Sequence, residues 1–310
     1  MQYRRIPRTP LEVSPLCLGT MTFGTPVDRT AAANLVHRAL DGGINFIDTA
    51  DIYEGYARYW GSPGGRAEEF LGEALRGRRE QAVVTTKVGN PVGPGPADTG
   101  LGRAHLTRQI EASLKRLRTD YVDLYLFHRP DPATPLEESI RAVAGLIGQG
   151  KVRHWGFSNF DASQIREMIR VCDTGGYPRP VISQPPYSWL NRGVEIDHLP
   201  ACRRFEIAVT PYQPLQGGLL SGKYKRGRPV PMGSRAAEST WLSEPDDVLL
   251  DKLDSFESEA RAARLDPLHY ALKWLLDREG VCSVVAGVKT LRQWEELMAV
   301  LDRKKGDTRA

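Results

Sequence analysis

The segments AVVTTKV (residues 82–88) and YVDLYLF (residues 121–127) decide the fold of this 310-residue chain. Both are short and almost continuously apolar, which is typical of strands that are covered on both faces in a parallel sheet. Between them, residues 106–117 have the apolar spacing and start signals of a helix. The order strand, helix, strand therefore predicts one unit of a parallel α/β sheet.

The same unit recurs along the chain. Further apolar runs predict strands at residues 16–20, 44–48, 152–158, 181–184, 207–211 and 282–286. Segments with helical periodicity lie at residues 30–40, 68–75, 136–147, 162–171 and 267–276. Eight strands joined by right-handed crossovers favour a closed sheet, so we predict an α/β protein with a (β/α)8 TIM barrel, formed as a single domain by residues 1–310.

Such a barrel takes about 250 residues, which leaves room for additions. Residues 1–16 alternate apolar and polar positions around a Thr-Pro turn, and they predict an N-terminal β-hairpin that plugs the barrel floor. Gly- and Pro-rich loops at 61–65, 89–102 and 214–245 follow the second, third and seventh strands. We therefore expect long loops at the carboxyl-terminal face, where barrel enzymes keep their active sites.

Composition argues against several classes of partner. The chain has 42 Lys plus Arg and 38 Asp plus Glu, a formal net charge of +4 without long blocks of like charge. We expect no nucleic-acid or membrane partner, because such surfaces attract clustered basic residues. There is neither a long apolar span nor the apolar core of a signal peptide, so we expect a cytoplasmic protein. The four cysteines are far apart and predict neither a disulfide nor a metal site.

Polar residues stand where the apolar strands end. Asp48 ends the second strand, Tyr53 follows five residues later, Lys87 lies near the end of the third strand, and His128 caps the fourth. We expect all four side chains in one mouth, with Asp48 offsetting the cost of burying Lys87. The Lys87 cation should then lower the pKa of Tyr53 from about 10 and make it a better proton donor. His128 could orient a substrate oxygen.

Each of these residues also has a structural explanation when it is taken singly. An Asp at a strand end commonly caps a turn, and a loop Tyr commonly packs with its hydroxyl in water. The conjunction of four is harder to explain in this way. The sequence also lacks both the G-x-G-x-x-G fingerprint of a Rossmann site and a P-loop, so a nucleotide would have to be bound differently.

Several motifs together carry a family resemblance. They are INFIDTADIYEG (44–55), VVTTKVG (83–89), DLYLFHRPD (123–131), VRHWGFSNF (152–160), SQPPYS (183–188), TPYQPLQGGLLSGKY (210–224) and HYALKWLLDREGVCSVVAGV (269–288). In this order and spacing the chain closely resembles the aldo-keto reductases, which are NADP(H)-dependent oxidoreductases on a (β/α)8 barrel. The similarity covers nearly the whole chain. It looks closest to the branch that contains aryl-alcohol dehydrogenases and potassium-channel β subunits.

The resemblance implies a role for each matching residue. Asp48, Tyr53, Lys87 and His128 match the catalytic tetrad, with Tyr53 as proton donor in carbonyl reduction. Ser158, Asn159 and Gln184 match the residues that hold the nicotinamide carboxamide, for which hydroxyl and amide groups are suited. Tyr212 matches the ring on which the nicotinamide stacks. Without the tetrad, Asn159 could simply mark a helix boundary and Tyr212 could be core.

The remaining cofactor residues match two further segments. The loop over the pyrophosphate corresponds to Gln213, Leu215 and Gly217 through Lys223, and the adenosine segment to Lys289, Arg292, Gln293 and Glu296. A cationic cluster that opens a helix suits a 2′-phosphate, which favours NADP(H), although exposed lysines and arginines are more often merely solvated.

Four features depart from the family pattern, one of which is the consecutive Pro185-Pro186 next to Gln184, which could alter the local backbone. Residues 57–66, ARYWGSPGGR, form a longer and more aromatic loop than many relatives have, so Tyr56, Tyr59 or Trp60 could reshape the substrate pocket. Gln213 stands where serine is frequent, and Leu297 stands where asparagine is often found.

Three functions are consistent with the sequence. The leading one is reversible NADP(H)-dependent reduction of an aldehyde or ketone, a small-molecule carbonyl substrate, without a metal. The second is an NADP(H)-binding regulatory subunit with slow turnover that reports redox state to a partner. The third, a Schiff-base aldolase that uses Lys87, is disfavoured because a lysine paired with Asp48 stays protonated. The sequence leaves the oligomeric state open, a homo-oligomer included.

Overall fold

The N-terminal hairpin is present and closes one end of a barrel. A computed structural model describes residues 1–238, 242 and 244–302. Strand β1 (Arg4–Arg5) pairs antiparallel with β2 (Glu12–Val13). Ile6, which follows β1, and Val13 of β2 are fully buried and pack on the apolar side chains inside the barrel. The predicted N-terminal hairpin is therefore confirmed, and its apolar residues explain why it seals the barrel floor.

Eight parallel strands form the barrel, and all of them fall on predicted segments. They are β3 (Leu16–Gly19), β4 (Phe46–Asp48), β5 (Val83–Val88), β6 (Val122–Phe127), β7 (Val152–Ser158), β8 (Ile182–Gln184), β9 (Ala208–Val209) and β10 (Val284–Gly287). They pair in chain order from β3 to β9, and β10 pairs with β3. The Cys282 amide donates to the Val209 carbonyl at 2.9 Å and links β9 to the start of β10. This closure confirms the (β/α)8 prediction.

Helices surround the strands. They are α1 (Arg29–Asp41), α2 (Arg66–Ala74), α3 (Arg103–Leu117), α4 (Leu136–Gly148), α5 (Ala162–Gly175), α6 (His198–Arg204), α7 (Arg235–Glu238), α8 (Asp247–Ala262), α9 (Pro267–Leu276) and α10 (Leu291–Asp302). Six of these agree with predicted segments. Helices α6, α7 and α8 were not predicted, in part because α6 contains Pro200 and α7 lies within a loop rich in Gly and Pro, and α10 was expected only as a helix that the Lys289 and Arg292 segment opens, without bounds.

Three long loops follow β4, β5 and β9, at the end of the barrel where the strands finish. The longest predicted loop, 214–245, contains a 3₁₀ helix at Gln216–Ser221 and the short helix α7. Residues 239–241 and 243 of this loop lie outside the described residues. The carboxyl-terminal face thus carries most of the irregular chain, while the hairpin occupies the opposite end.

Apolar side chains fill both the barrel and the layer between strands and helices. Phe46, Leu124 and Leu126 are fully or almost fully buried and belong to the interior cluster. All four cysteines are buried and unpaired. Across the described residues no helix has both the length and the apolar character required to cross a membrane.

Close packing between β7 and β8 gives a test of the barrel. A Cβ at Gly156 would lie 2.2 Å from the Ile182 carbonyl oxygen, which is main chain and cannot rotate away. We expect Gly156→Ala to lower the free energy of unfolding by about 3 kcal/mol, measured by urea denaturation. The control is Gly145→Ala in α4, where the new methyl group meets nothing within 4 Å. That variant should gain about 0.5–1 kcal/mol from helix propensity, and equal stabilities for the two variants would contradict the packing.

Candidate active site

Three neighbouring strands bring the polar strand-end residues into one cluster. Asp48 is the last residue of β4, Lys87 lies one residue before the end of β5, and His128 follows β6 directly. Tyr53 lies in the turn after β4. Because parallel strands end at the same face of a barrel, the order β4, β5, β6 places all four side chains at its carboxyl-terminal mouth.

Lys87 is the centre of this cluster. Its side chain is 0% exposed, and its ammonium group donates to Asp48 Oδ2 at 2.5 Å, the Thr49 carbonyl at 3.0 Å and the Tyr53 hydroxyl at 3.2 Å. An ammonium group has three protons, so all three are used. Burial alone lowers the pKa of Lys87, but Asp48 and Tyr53 raise it overall to about 12. Lys87 is therefore a cation at neutral pH and has no lone pair with which to form a Schiff base.

The expectation for the pKa of Tyr53 is wrong in its sign. Burial is the largest influence and raises the pKa of Tyr53 above 10, and the Asp48 carboxylate raises it further. Lys87 lowers it, as expected, but does not outweigh burial. Tyr53 therefore keeps its proton at neutral pH. Because Lys87 donates to the phenol oxygen, the phenol's own proton remains available to a ligand in the mouth.

His128 provides the second polar group at the mouth. Its ring packs edge-on against Tyr53, with the ring centroids 5.8 Å apart. Burial and the Lys87 cation hold the pKa of His128 well below 6.5, so its imidazole is neutral. Nδ1 is buried without a hydrogen-bond partner. This arrangement leaves Nε2 as the ring nitrogen that can meet an oxygen in the mouth.

The residues matched to a carboxamide form one hydrogen-bonded row beside the tetrad. Gln184 Nε2 donates to Asp48 Oδ1 at 2.8 Å, and the Ser158 hydroxyl donates to the main-chain carbonyl of Gln184 at 2.6 Å. Asn159 Nδ2 donates to Ser158 Oγ at 3.1 Å, and the Tyr212 hydroxyl donates to Asn159 Oδ1 at 2.8 Å. This ordered set of hydroxyl and amide groups fits a carboxamide.

The helix boundary near Asn159 belongs to another residue. Asp161 accepts from the Gln164 amide at 2.8 Å, and the Gln164 side chain accepts from the Asp161 amide at 2.9 Å, which together form a capping box for α5. Asn159 does not cap this helix. It instead adopts a left-handed backbone with φ of 64°, and its amide also donates to the His128 carbonyl at 2.9 Å.

The loop after β9 provides a backbone cradle. Gln213 and Gly217 have φ of 57° and 68°, and Gly218 has φ of 98°. A Cβ on Gly218 would lie 2.7 Å from Lys223 Nζ, so the glycine keeps room beside an exposed cation. Leu215 is half-buried and packs against the core. Partly exposed, glycine-containing backbone with a nearby lysine fits a pyrophosphate.

The segment matched to the adenosine end differs from the expectation of a cationic cluster. Lys289 Nζ pairs with Glu238 Oε2 at 2.8 Å, and Arg292 lies 3.4 Å from Glu296 in a largely exposed pair. Gln293 accepts from the Lys289 amide at 2.8 Å and so fixes the start of α10. The two cations are present, but a carboxylate accompanies each of them.

The aromatic loop after Tyr53 divides into two parts. Tyr56 lies under Arg235 of α7, whose guanidinium carbon is 4.2 Å from the ring centroid, and Arg235 also donates to the Tyr56 hydroxyl. Tyr59 and Trp60 are 66% and 81% exposed.

Sequence reasoning missed Arg235 and Glu238. Their charges within a Gly- and Pro-rich loop were the available signal.

A buried acid, Asp51, lies two residues before Tyr53. It is 0% exposed, and neither of its carboxylate oxygens has a hydrogen-bond partner. Burial and the neighbouring Glu68 raise the pKa of Asp51 well above 3.8. Glu68 itself accepts from Thr86 at 2.5 Å and from Arg116 at 2.6 Å. The fold therefore favours the protonated form of Asp51, whereas the unfolded chain ionises it.

Asp51→Asn tests this pKa shift. Because the folded-state pKa lies above the unfolded value, the stability that Asp51 contributes is complete below about pH 4 and is lost as pH rises. Asparagine does not titrate, so the variant should gain stability over the wild type as pH increases, by about 1–3 kcal/mol at pH 8. Urea denaturation from pH 4 to pH 8 measures the difference. Asp120→Asn, at an exposed position, should show little change, and a pH-independent effect of Asp51→Asn would contradict the shift.

Comparison with known proteins agrees with this geometry. The model of the aldo/keto reductase family matches residues 15–308. A probable voltage-gated potassium channel subunit beta from Arabidopsis thaliana is 35% identical over 97% of this chain and 92% of its own length. The uncharacterized oxidoreductase YrpG of Bacillus subtilis is also 35% identical, over 97% of this chain and 91% of its own length.

A third relative, a putative voltage-gated potassium channel subunit beta from Schizosaccharomyces pombe, is 34% identical over 94% of this chain and 85% of its own length. The family match spans nearly all of the barrel, and these relatives include the kind of protein that the sequence motifs resemble. This chain belongs to the aldo/keto reductase family of oxidoreductases.

Proposed function

We propose that this protein is an NADP(H)-dependent reductase that converts aldehydes or ketones to alcohols reversibly. The observation that carries the proposal is the 3.2 Å contact between the Lys87 ammonium group and the hydroxyl of Tyr53. This contact joins a protonated phenol to a permanent cation at the mouth of the barrel. A carbonyl oxygen that gains negative charge during reduction requires both a proton and a nearby positive charge.

Tyr53 acts as the general acid. When bound, the nicotinamide supplies a hydride to the carbonyl carbon. The Tyr53 hydroxyl gives its proton to the carbonyl oxygen and becomes a phenolate. Lys87 stabilises this phenolate through the hydrogen bond that it already makes, so its effect is greatest as negative charge develops. The ground-state pKa of Tyr53 can thus be raised by burial while proton transfer is still assisted.

His128 and Asp48 support this transfer in different ways. The neutral His128 ring can donate one hydrogen bond to the carbonyl oxygen and fix its direction beside Tyr53. Asp48 remains beneath the mouth, where it pairs with Lys87 and accepts from Gln184. Asp48 is therefore a positioning residue in this mechanism.

The cofactor residues divide by chemistry. Ser158, Asn159 and Gln184 would hold the carboxamide, and the Tyr212 ring would lie against the nicotinamide. Gln213, Leu215, Gly217 and Lys223 would meet the pyrophosphate, and Lys289, Arg292, Gln293 and Glu296 would meet the adenosine end. The cations at these positions support a phosphorylated nucleotide, NADP(H).

A second candidate function is that of a regulatory subunit that binds NADP(H) and turns over slowly. The observation that favours it is the name potassium channel subunit beta, which two of the three relatives described above carry. The two candidates share the site and differ in rate and partner. Fast steady-state oxidation of NADPH with simple aldehydes supports the reductase, whereas one slow turnover per bound nucleotide supports the regulatory subunit.

Titration of intrinsic fluorescence with NADPH and NADH, followed by a panel of aldehydes and ketones, separates these cases. The two titrations are carried out at the same ionic strength, because salt screens contacts between the protein and the phosphate groups of the nucleotide. Binding of NADPH together with turnover supports the reductase. If neither nucleotide binds, both candidate functions are rejected.

Tyr53→Phe tests the proton donor. The substitution removes only the hydroxyl, so we expect kcat to fall by about 10²–10⁴-fold, the usual contribution of a general acid. The dissociation constant for NADPH should change less than about twofold, because the ring remains. Stopped-flow absorbance at the reduced-nicotinamide band measures turnover, and fluorescence titration measures binding.

Tyr121→Phe is the matched control for this substitution. Tyr121 lies just before β6, at the opposite end of the barrel, and its hydroxyl donates only to Glu80, at 3.1 Å. This variant should keep wild-type turnover. Full turnover by Tyr53→Phe would exclude Tyr53 as the proton donor, whatever the control shows.

A further inference from the structure

Four side chains from three separate segments meet beside the mouth, and we refer to them as the Tyr56 cluster. Tyr56 comes from the loop after β4, Arg235 and Glu238 come from α7, and Lys289 follows β10. Both cations lie over the Tyr56 ring, Arg235 at 4.2 Å and Lys289 at 5.7 Å from its centroid. The ring therefore holds two positive groups close together.

Glu238 is the negative member of this cluster. Its Oε2 accepts from Lys289 Nζ at 2.8 Å, and Lys289 also donates to the Gly233 carbonyl at 3.3 Å. The Lys289 side chain is 23% exposed and that of Glu238 is 51% exposed. Lys289 and nearby Arg235 hold the pKa of Glu238 below 4.5, so the carboxylate is charged at neutral pH.

We infer that Glu238 sets the preference between a nucleotide with a 2′-phosphate and one with a 2′-hydroxyl, by competing for Lys289. This inference rests on the proposed function, in which Lys289 meets the adenosine end of the cofactor. It concerns a residue that neither the sequence motifs nor the family resemblance singled out.

The physical argument compares the two ligands. A 2′-phosphate is a dianion near neutral pH, so it is attracted by Arg235 and Lys289 but repelled by Glu238, which already accepts one of the three protons of Lys289. A ribose 2′-hydroxyl carries no charge and can donate a hydrogen bond to the Glu238 carboxylate. The Glu238 carboxylate therefore lowers the affinity for NADP(H), and it leaves the affinity for NAD(H) unchanged or raises it.

The competing explanation is an ordinary surface ion pair without functional effect. Exposed pairs usually contribute little to stability, and the chain contains many of them. The two explanations differ in what the removal of Glu238 does to ligands. A surface pair predicts equal affinities before and after substitution, whereas the proposed competition predicts a change confined to ligands that carry a 2′-phosphate.

Glu238→Gln tests the inference by binding alone. The probes are NADPH, NADH, 2′,5′-ADP and 5′-ADP, measured by isothermal titration calorimetry with the full-length protein at low salt. We expect NADPH and 2′,5′-ADP to bind about fivefold more tightly to the variant, the effect of removing one partly screened charge contact. NADH and 5′-ADP should change by less than twofold or bind more weakly. Added salt should reduce the gain.

Two further variants complete the design. Glu279→Gln removes an exposed carboxylate that pairs with Arg203 just before β10, at the other end of the barrel, and should leave all four affinities unchanged. Adding Lys289→Met to Glu238→Gln should abolish the gain in affinity for NADPH and 2′,5′-ADP, because the cation that pairs with Glu238 is then absent.

The outcomes are distinct. An unchanged ratio of NADPH to NADH affinity in Glu238→Gln overturns the inference while leaving the proposed function intact. A gain that persists in the double variant also overturns it. Failure of the wild type to bind any of the four probes rejects the proposed function and, with it, this inference.

Discussion

The buried ion pair between Lys87 and Asp48 is the constraint on which the rest of the site depends. A fully buried ammonium group is tolerated only where a carboxylate and further acceptors offset its lost hydration, and Asp48, Thr49 and Tyr53 supply them. These acceptors lie on β4 and on the turn that follows it. The pairing of β4 with β5 is therefore as necessary for the chemistry as for the fold, because a shift in register would leave the lysine without partners.

From this pair a hydrogen-bonded row extends around the mouth. Asp48 uses one oxygen for Lys87 and the other for Gln184, and Ser158, Asn159 and Tyr212 continue the row. The proposed proton donor and the proposed carboxamide site are thus parts of one network. Because each of these side chains is hydrogen-bonded to a neighbouring side chain or to the main chain, the barrel can hold the donor set in a fixed geometry before any ligand binds, which lowers the entropic cost of reaching the reactive arrangement.

The long loops add a second level of organisation. The contact of Arg235 with Tyr56 joins segments 179 residues apart along the chain, and the pair of Glu238 with Lys289 joins segments 51 residues apart. These contacts are more exposed than the Lys87 pair, so water and salt weaken them and ligands can compete for them. These exposed contacts contribute little to the stability of the fold. A charged ligand can therefore replace them, which suits them to discriminating between ligands.

The sequence by itself determined the eight strands, six of the helices, the hairpin and the strand-end positions of Asp48, Lys87 and His128, because apolar runs and their boundaries are local properties. It did not determine the pKa of Tyr53, since burial outweighs Lys87 only after the strands and loops have packed around the phenol. Nor did it indicate that Glu238 forms an ion pair with Lys289, or that Arg235 of α7 and Lys289 both contact the Tyr56 ring. Those contacts join distant segments without any periodic signal, so only the closed barrel, which brings its loops to one face, decided them.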